Sequence, residues 1–158
     1  MKKIYLITMF AGLINIANAD LLVKTPDQAC SQLNEIGLKT GSWNQEFGCF
    51  SSYKQIGSGS PLANNLAIYY EGNSSMITIA YLMLNINDKP TAATAHKELL
   101  KAAEVLIKKQ AGKPLTKKLS DAIANGVNAS EKIGNAQIEV ERSDWPTGRG
   151  YEVKVSVK

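Results

Sequence analysis

The chain holds one histidine, His96, and two cysteines, Cys30 and Cys49, in 158 residues. A zinc site draws three or four ligands from His, Cys and carboxylate side chains, so this shortage argues against a metal centre, and no cofactor is expected. Triad chemistry needs a base with a partner in hydrogen-bond reach, and no Ser-His-Asp or Cys-His spacing surrounds His96. No glycine-rich loop leads into a helix with a following Lys-Ser or Lys-Thr, which excludes a phosphate loop. The net charge is only +4, too small to point to nucleic acid.

Long apolar runs are scarce as well. The exception lies at the N-terminus, where Lys2 and Lys3 precede an apolar stretch from Ile4 to Ile16 and Ala17 and Ala19 follow. That stretch is shorter than the ~20 residues that span a bilayer. Its three-part layout is that of a secretory signal peptide. Cleavage is expected between Ala19 and Asp20, making 1–19 the leader and 20–158 a single α+β domain without a transmembrane segment. The Lys-Lys start is of bacterial type, so the mature chain is expected to be periplasmic or secreted. Of the 18 basic side chains, two lie in the leader; against 14 acidic ones the remainder carries +2.

An even cysteine count in an exported chain reads as a disulfide. A Cys30–Cys49 bridge closes a short loop and stabilises the fold by about 3 kcal/mol through the unfolded state. "TPDQACSQLNEIG" begins with Thr25 as N-cap and Pro26 at the first helical position, and Gly37 supplies a left-handed stop. A helix over 25–37 is therefore expected, followed by a strand from about Glu46 to Ile56. Residues 57–65 read as a flexible polar connection, and 66–72 as a strand.

The strand at 76–87 is apolar on both faces, so it is expected to be central and covered twice; otherwise it shows one face to a partner. Pro90 to Ala111 reads as a helix with Ala92, Ala95, Leu99, Ala103 and Leu106 inward. A second helix carries Leu115, Leu119, Ala122 and Ile123. The closing hairpin buries Ile138, Val140, Tyr151, Val153, Val155 and Val157, and turns Glu139, Glu141, Glu152, Lys154 and Ser156 outward. The fold class is α+β, order α-βββ-αα-ββ, a largely antiparallel five-stranded sheet with helices packed on one face.

Three surfaces are candidate binding sites. Trp145 and Arg149, with Asp144, flank a Gly-rich hairpin tip, and Trp and Arg are enriched in binding hot spots; a plain turn with Trp145 folded over the sheet edge is the structural alternative. Lys97, Lys101 and Lys108 share a helical face that suits an anionic partner or simply solvent. The two-faced strand 76–87 suits a homodimer. A small non-catalytic binding protein is expected, acting by protein–protein contact on another envelope or extracellular protein, as an inhibitor, immunity-type or accessory factor, with no nucleic-acid partner. The alternatives are a self-associating structural protein and an envelope hydrolase assembled from Glu46, Ser51, Ser52, Tyr53, His96 and Asp144.

Intact mass of the exported protein is expected to show loss of residues 1–19 and of the two thiol hydrogens. Two free thiols in the non-reduced protein would overturn the export and disulfide reading together.

Overall fold

The computed structural model describes residues 20–59 and 62–158; the expected leader, 1–19, lies outside them. Among the described residues, seven strands form one antiparallel sheet: β1 (Cys49–Phe50), β2 (Lys54–Ile56), β3 (Asn64–Gly72), β4 (Ile77–Ile86), β5 (Ala129–Ile133), β6 (Ala136–Asp144) and β7 (Tyr151–Val157). The spatial order is β1-β3-β4-β7-β6-β5, with β2 continuing the edge beside β3. The helices α1 (Pro26–Cys30), α2 (Ala92–Ala111) and α3 (Lys117–Asn125) pack on one face. The α+β architecture is the expected one, with seven strands instead of five.

The inner sheet face follows from alternation. Leu66, Ile68 and Tyr70 of β3, Ala80, Leu82, Leu84 and Ile86 of β4, and Val153, Val155 and Val157 of β7 are fully buried against the helices. Ala95, Leu99, Ala103 and Leu106 of α2 face them, and small alanines let the helix approach closely. Ala92 is only partly buried. α2 ends at Gly112, whose φ of 69° closes the helix on the Lys108 carbonyl.

Four differences from the sequence expectations have physical causes. The helix over 25–37 breaks after Cys30 and resumes as a 3-10 turn at Asn34–Ile36. Ser31 Oγ bonds back to the Gln28 carbonyl at 3.1 Å and Thr40 donates to the Cys30 carbonyl, drawing backbone groups away from a continuous ladder. The strand over 46–56 divides into β1 and β2. The extra strand β5 carries Ser130, Glu131 and Lys132 and is weakly apolar. It is an edge strand, and α3 shields it: Lys118 Nζ donates to the Ser130 carbonyl at 2.8 Å and Thr116 Oγ1 to Glu131 at 2.7 Å.

Finally, the connection expected over 57–65 ends early, because β3 begins at Asn64. Asn64 is fully buried and uses its whole amide. Its Nδ2 donates to the Asp88 carbonyl and Thr91 Oγ1, both at 3.0 Å, while its Oδ1 accepts from the Asn87 and Asp88 backbone at 2.8 Å. One side chain thereby fixes the turn from β4 into α2.

Ala103 is fully buried on the sheet side of α2, whereas Lys101 is exposed and pairs with Glu98 at 2.7 Å. Ala103→Leu is expected to lower stability by about 1–3 kcal/mol through overpacking, and Lys101→Leu by under about 1 kcal/mol. Denaturant midpoints check this, and equal small shifts would contradict the packing.

Candidate aromatic binding face

The opposite, outer face of the sheet has no helix over it among the described residues. On β4 that face carries Ile79, Tyr81 and Met83, all partly buried. Among the described residues the strand is thus central but covered on one face only, which differs from the expectation of cover on both. β4 is hydrogen-bonded on both edges, to β3 and β7, so only its face is open to a partner.

The outer face gains its character at the sheet edge. Cys49 lies opposite Tyr70 and Phe50 opposite Tyr69, while Lys54 lies opposite Leu66. One strand therefore advances by one residue more than the other, and Ser52 and Tyr53 share the place opposite Ala67: a β-bulge. Ser51 seals it, because its backbone N–H reaches the Ile68 carbonyl at 3.0 Å and its Oγ accepts the Ile68 N–H at 3.1 Å. The bulge lets Cys49 and Ile56, which strict alternation would put on opposite faces, both point inward. Phe50 and Tyr53 are left outside, 53% and 51% exposed.

Phe50, Tyr69 and Tyr81 then form a row across β1, β3 and β4. Phe50 and Tyr69 stack at 5.9 Å between ring centres and Tyr69 and Tyr81 at 4.9 Å, nearly parallel. Lys154 Nζ sits 4.9 Å over the Tyr81 ring. Above the row stands Phe47, 66% exposed, at the end of a loop closed by reciprocal backbone bonds between Asn44 and Gly48. Asn44 Oδ1 accepts the Glu46 and Phe47 N–H groups, an Asx turn. Gly48 has a φ of 70° and passes so close to β3 that a Cβ would stand 1.8 Å from the Tyr70 oxygen. The Cys30–Cys49 disulfide, with Cα atoms 5.9 Å apart, ties the next residue to α1.

Between this loop and the sheet runs an open cleft of about 510 Å³, lined by Phe47, Phe50, Tyr69 and Tyr81 and by Glu46 and Glu71. Tyr81 Oη donates to Glu71 Oε1 at 2.6 Å and Tyr69 Oη to Tyr53 Oη at 3.1 Å. Burial, and then these hydrogen bonds, hold the Tyr69 and Tyr81 phenols above their ordinary range. They are therefore neutral donors at physiological pH.

Of the residues singled out from sequence, Glu46, Tyr53 and strand 76–87 with Tyr81 lie at this face, and the candidate binding residues of the hairpin tip and the lysine face lie elsewhere. Trp145 is half-buried at the neck of the β6–β7 hairpin, bonded to Gly150 through its backbone N–H at 3.1 Å. Its ring lies where a Cβ on Gly150 would stand, 2.5 Å from that point. Arg149 is exposed at the turn, and Asp144 pairs with Arg142 at 2.7 Å instead of joining the tip. Lys97, Lys101 and Lys108 are exposed on the helical side of the molecule.

His96 is buried, with Nδ1 2.6 Å from the Ile123 carbonyl and Nε2 3.0 Å from Tyr151 Oη. Its neighbours are thus α3 and β7, and Ser51 is engaged with β3. Glu46 and Tyr53 flank the aromatic row; of the dispersed hydrolase set, the structure does not bring these groups to His96. Among the described residues no cluster of His, Cys, Asp or Glu is arranged to hold a metal ion, and no helix is long and apolar enough to cross a membrane.

Sequence reasoning did not single out the aromatic row. A signal existed: Trp43, Phe47, Phe50 and Tyr53 crowd one short segment of a chain whose aromatic content is 7%. The comparisons add no family, for no protein-family model, curated protein or solved structure matches the chain.

The three raised phenols, Tyr69, Tyr70 and Tyr81, set an alkaline limit on stability. A folded pKa above the unfolded value of about 10 contributes fully below that pH and is lost as pH rises toward the folded value. Phenolate absorbance is expected to show late-titrating tyrosines in the folded protein, one fewer in Tyr81→Phe, and a shallower alkaline loss of stability in that variant. An unchanged titration would contradict the Tyr81 environment.

Proposed function

We propose that the chain is a small exported, non-catalytic binding protein that acts by protein–protein contact through its aromatic outer face. The observation that carries this reading is the stacked row Phe50–Tyr69–Tyr81, with Phe47 beside it, on a sheet face without a covering layer among the described residues. Aromatic side chains offer large contact area and lose little freedom on docking, which is why they dominate binding hot spots. Exposing them to water without a partner has no stabilising return for the fold.

The setting agrees. A buried disulfide suits an oxidising compartment, and a bacterial periplasm or the medium is the compartment proposed. An inhibitor, immunity-type or envelope accessory role is the class of contact proposed. The Trp145–Arg149 turn and the Lys97, Lys101 and Lys108 face are secondary contact surfaces in this proposal. A homodimer through the outer face, including strand 76–87, is its closest competitor.

Phe47 and Phe50 are exposed, so replacing both by Ser is expected to leave the melting midpoint nearly unchanged. Capture of the envelope partner by the mature protein is expected to fall about thirtyfold or more, as for a hot-spot loss of 2 kcal/mol. Undiminished capture by the double variant would refute the platform. Sedimentation of the mature protein separates self-association from a foreign partner. Turnover of peptidoglycan or simple esters would replace binding by catalysis.

A further inference from the structure

We infer that the cleft beneath Phe47 receives an arginine side chain presented by the partner protein. This deepens the binding reading and rests on it.

The chemistry of the walls selects the charge. Four aromatic rings and two carboxylates line the cleft, and no lysine or arginine does. Over β6 the outer-face carboxylates have cations at hand, Glu139 with Lys158 at 2.5 Å and Glu141 with Lys154 at 3.9 Å, whereas Glu152 of β7, on the same face as Tyr69 and Tyr81, forms no ion pair among the described residues. Glu46 and Glu71 form no ion pair among the described residues, and Glu71 keeps Oε2 free while Oε1 holds Tyr81. Negative charge without compensation therefore collects where the rings are most exposed. A cation over an aromatic face, with carboxylates at its edge, satisfies both features at once.

The molecule already shows the interaction on a small scale. Lys154 lies over Tyr81, on the same row. At the other end of the row, the Phe47 and Phe50 rings have no such cation among the described residues.

Shape and surroundings select the ligand within that class. Arginine is planar, stacks on rings and offers a fork of donors to a carboxylate, whereas an ammonium is a compact, strongly hydrated charge. The cleft is an open trough and not a closed cage. Its floor continues across β4 into Ile79 and Met83, both partly exposed. A free small cation would leave that apolar continuation in water; an arginine followed by apolar residues on a protein segment covers it.

The test uses the mature, disulfide-bonded protein and an acetylated, amidated Leu-Arg-Leu peptide, followed by the NMR resonances of Phe47, Phe50 and Tyr81. Dissociation in the millimolar range is expected for so short a probe, about tenfold weaker with citrulline, its neutral isostere, in place of arginine. Glu46→Gln with Glu71→Gln is expected to weaken the arginine peptide several-fold and leave the citrulline peptide unaffected. Equal binding of the two peptides, or an unaltered arginine peptide in the double variant, would overturn the inference. Tetramethylammonium binding as tightly as the peptide would overturn the choice of a protein-borne arginine. The two levels of the proposal separate in envelope capture. Loss in Phe47→Ser/Phe50→Ser with full retention in Glu46→Gln/Glu71→Gln would overturn the arginine site alone, and retention in both would overturn the platform as well.

Discussion

Between Cys49 and Lys54 one strand advances five residues while its neighbour, from Tyr70 to Leu66, advances four. Much of the molecule depends on that mismatch. Side chains alternate with period two, so an inserted residue reverses the faces of everything after it. Here the reversal brings Ile56 into the same core as Cys49 and leaves Phe50 and Tyr53 outside. The structure needs an acceptor at the insertion, since Ile68 N–H would otherwise be buried without a partner, and Ser51 Oγ provides it. The buried serine is therefore a fold residue. Its neighbour Ser52, which is exposed, carries no such duty.

A second constraint acts on the same edge. Gly48 runs against the Tyr70 carbonyl with room for no side chain, and Cys49 is bonded to α1. The Phe47 loop is thus anchored at its C-terminal base, by backbone proximity and by a covalent link. A rigid base matters for binding, because ordering a mobile aromatic loop on association would subtract from affinity. The outer rings can remain wet only because the inner layer is independently secured. Asn64 clamps the entry to α2, and Gln110, fully buried, bonds Gln32 at 2.9 Å and the Val23 N–H at 3.3 Å. His96 joins α2 to α3 and β7. Each of these polar groups is buried with its partners in place, the condition under which such networks specify one arrangement.

These features divide what was legible in the sequence from what was not. The long periodic elements were readable: α2, α3 and the closing hairpin have their buried residues where alternation and helical spacing put them. The disulfide was readable from the even cysteine count together with the export-type N-terminus. The edge was not, because a bulge is a departure from period, and "CFSSYKQI" looks like one strand until the register of β3 is known. β5 was missed because its polar pattern owes its pairing to β6 and its cover to Lys118 and Thr116 of the preceding helix and its cap, contacts that its own residues do not announce. The same applies to Ser156, expected in solvent but buried between Tyr81 and Glu139 without a hydrogen-bond partner. The aromatic row was hidden for a related reason. Phe50, Tyr69 and Tyr81 come from three strands, and each is unremarkable in its own segment.

The two faces of the molecule carry different electrostatics, and the difference bears on which one docks. On the helical side the lysines of α2 and α3 other than Lys109 are exposed, with pairs such as Lys117–Asp121 that water and salt weaken. Such a surface steers approach more than it holds a partner. On the outer sheet face the ion pairs lie over β6 and β7, and the rings lie over β1, β3 and β4. That arrangement places apolar, easily dehydrated surface beside a charged border, the layout of interfaces in which a central cluster carries the energy and a polar rim excludes water. With carboxylates at the cleft and lysines on the far side, the proposed basic segment would be drawn to the sheet and not to the helices. In the proposed binding mode that polarity would orient the encounter before any side chain touched the rings.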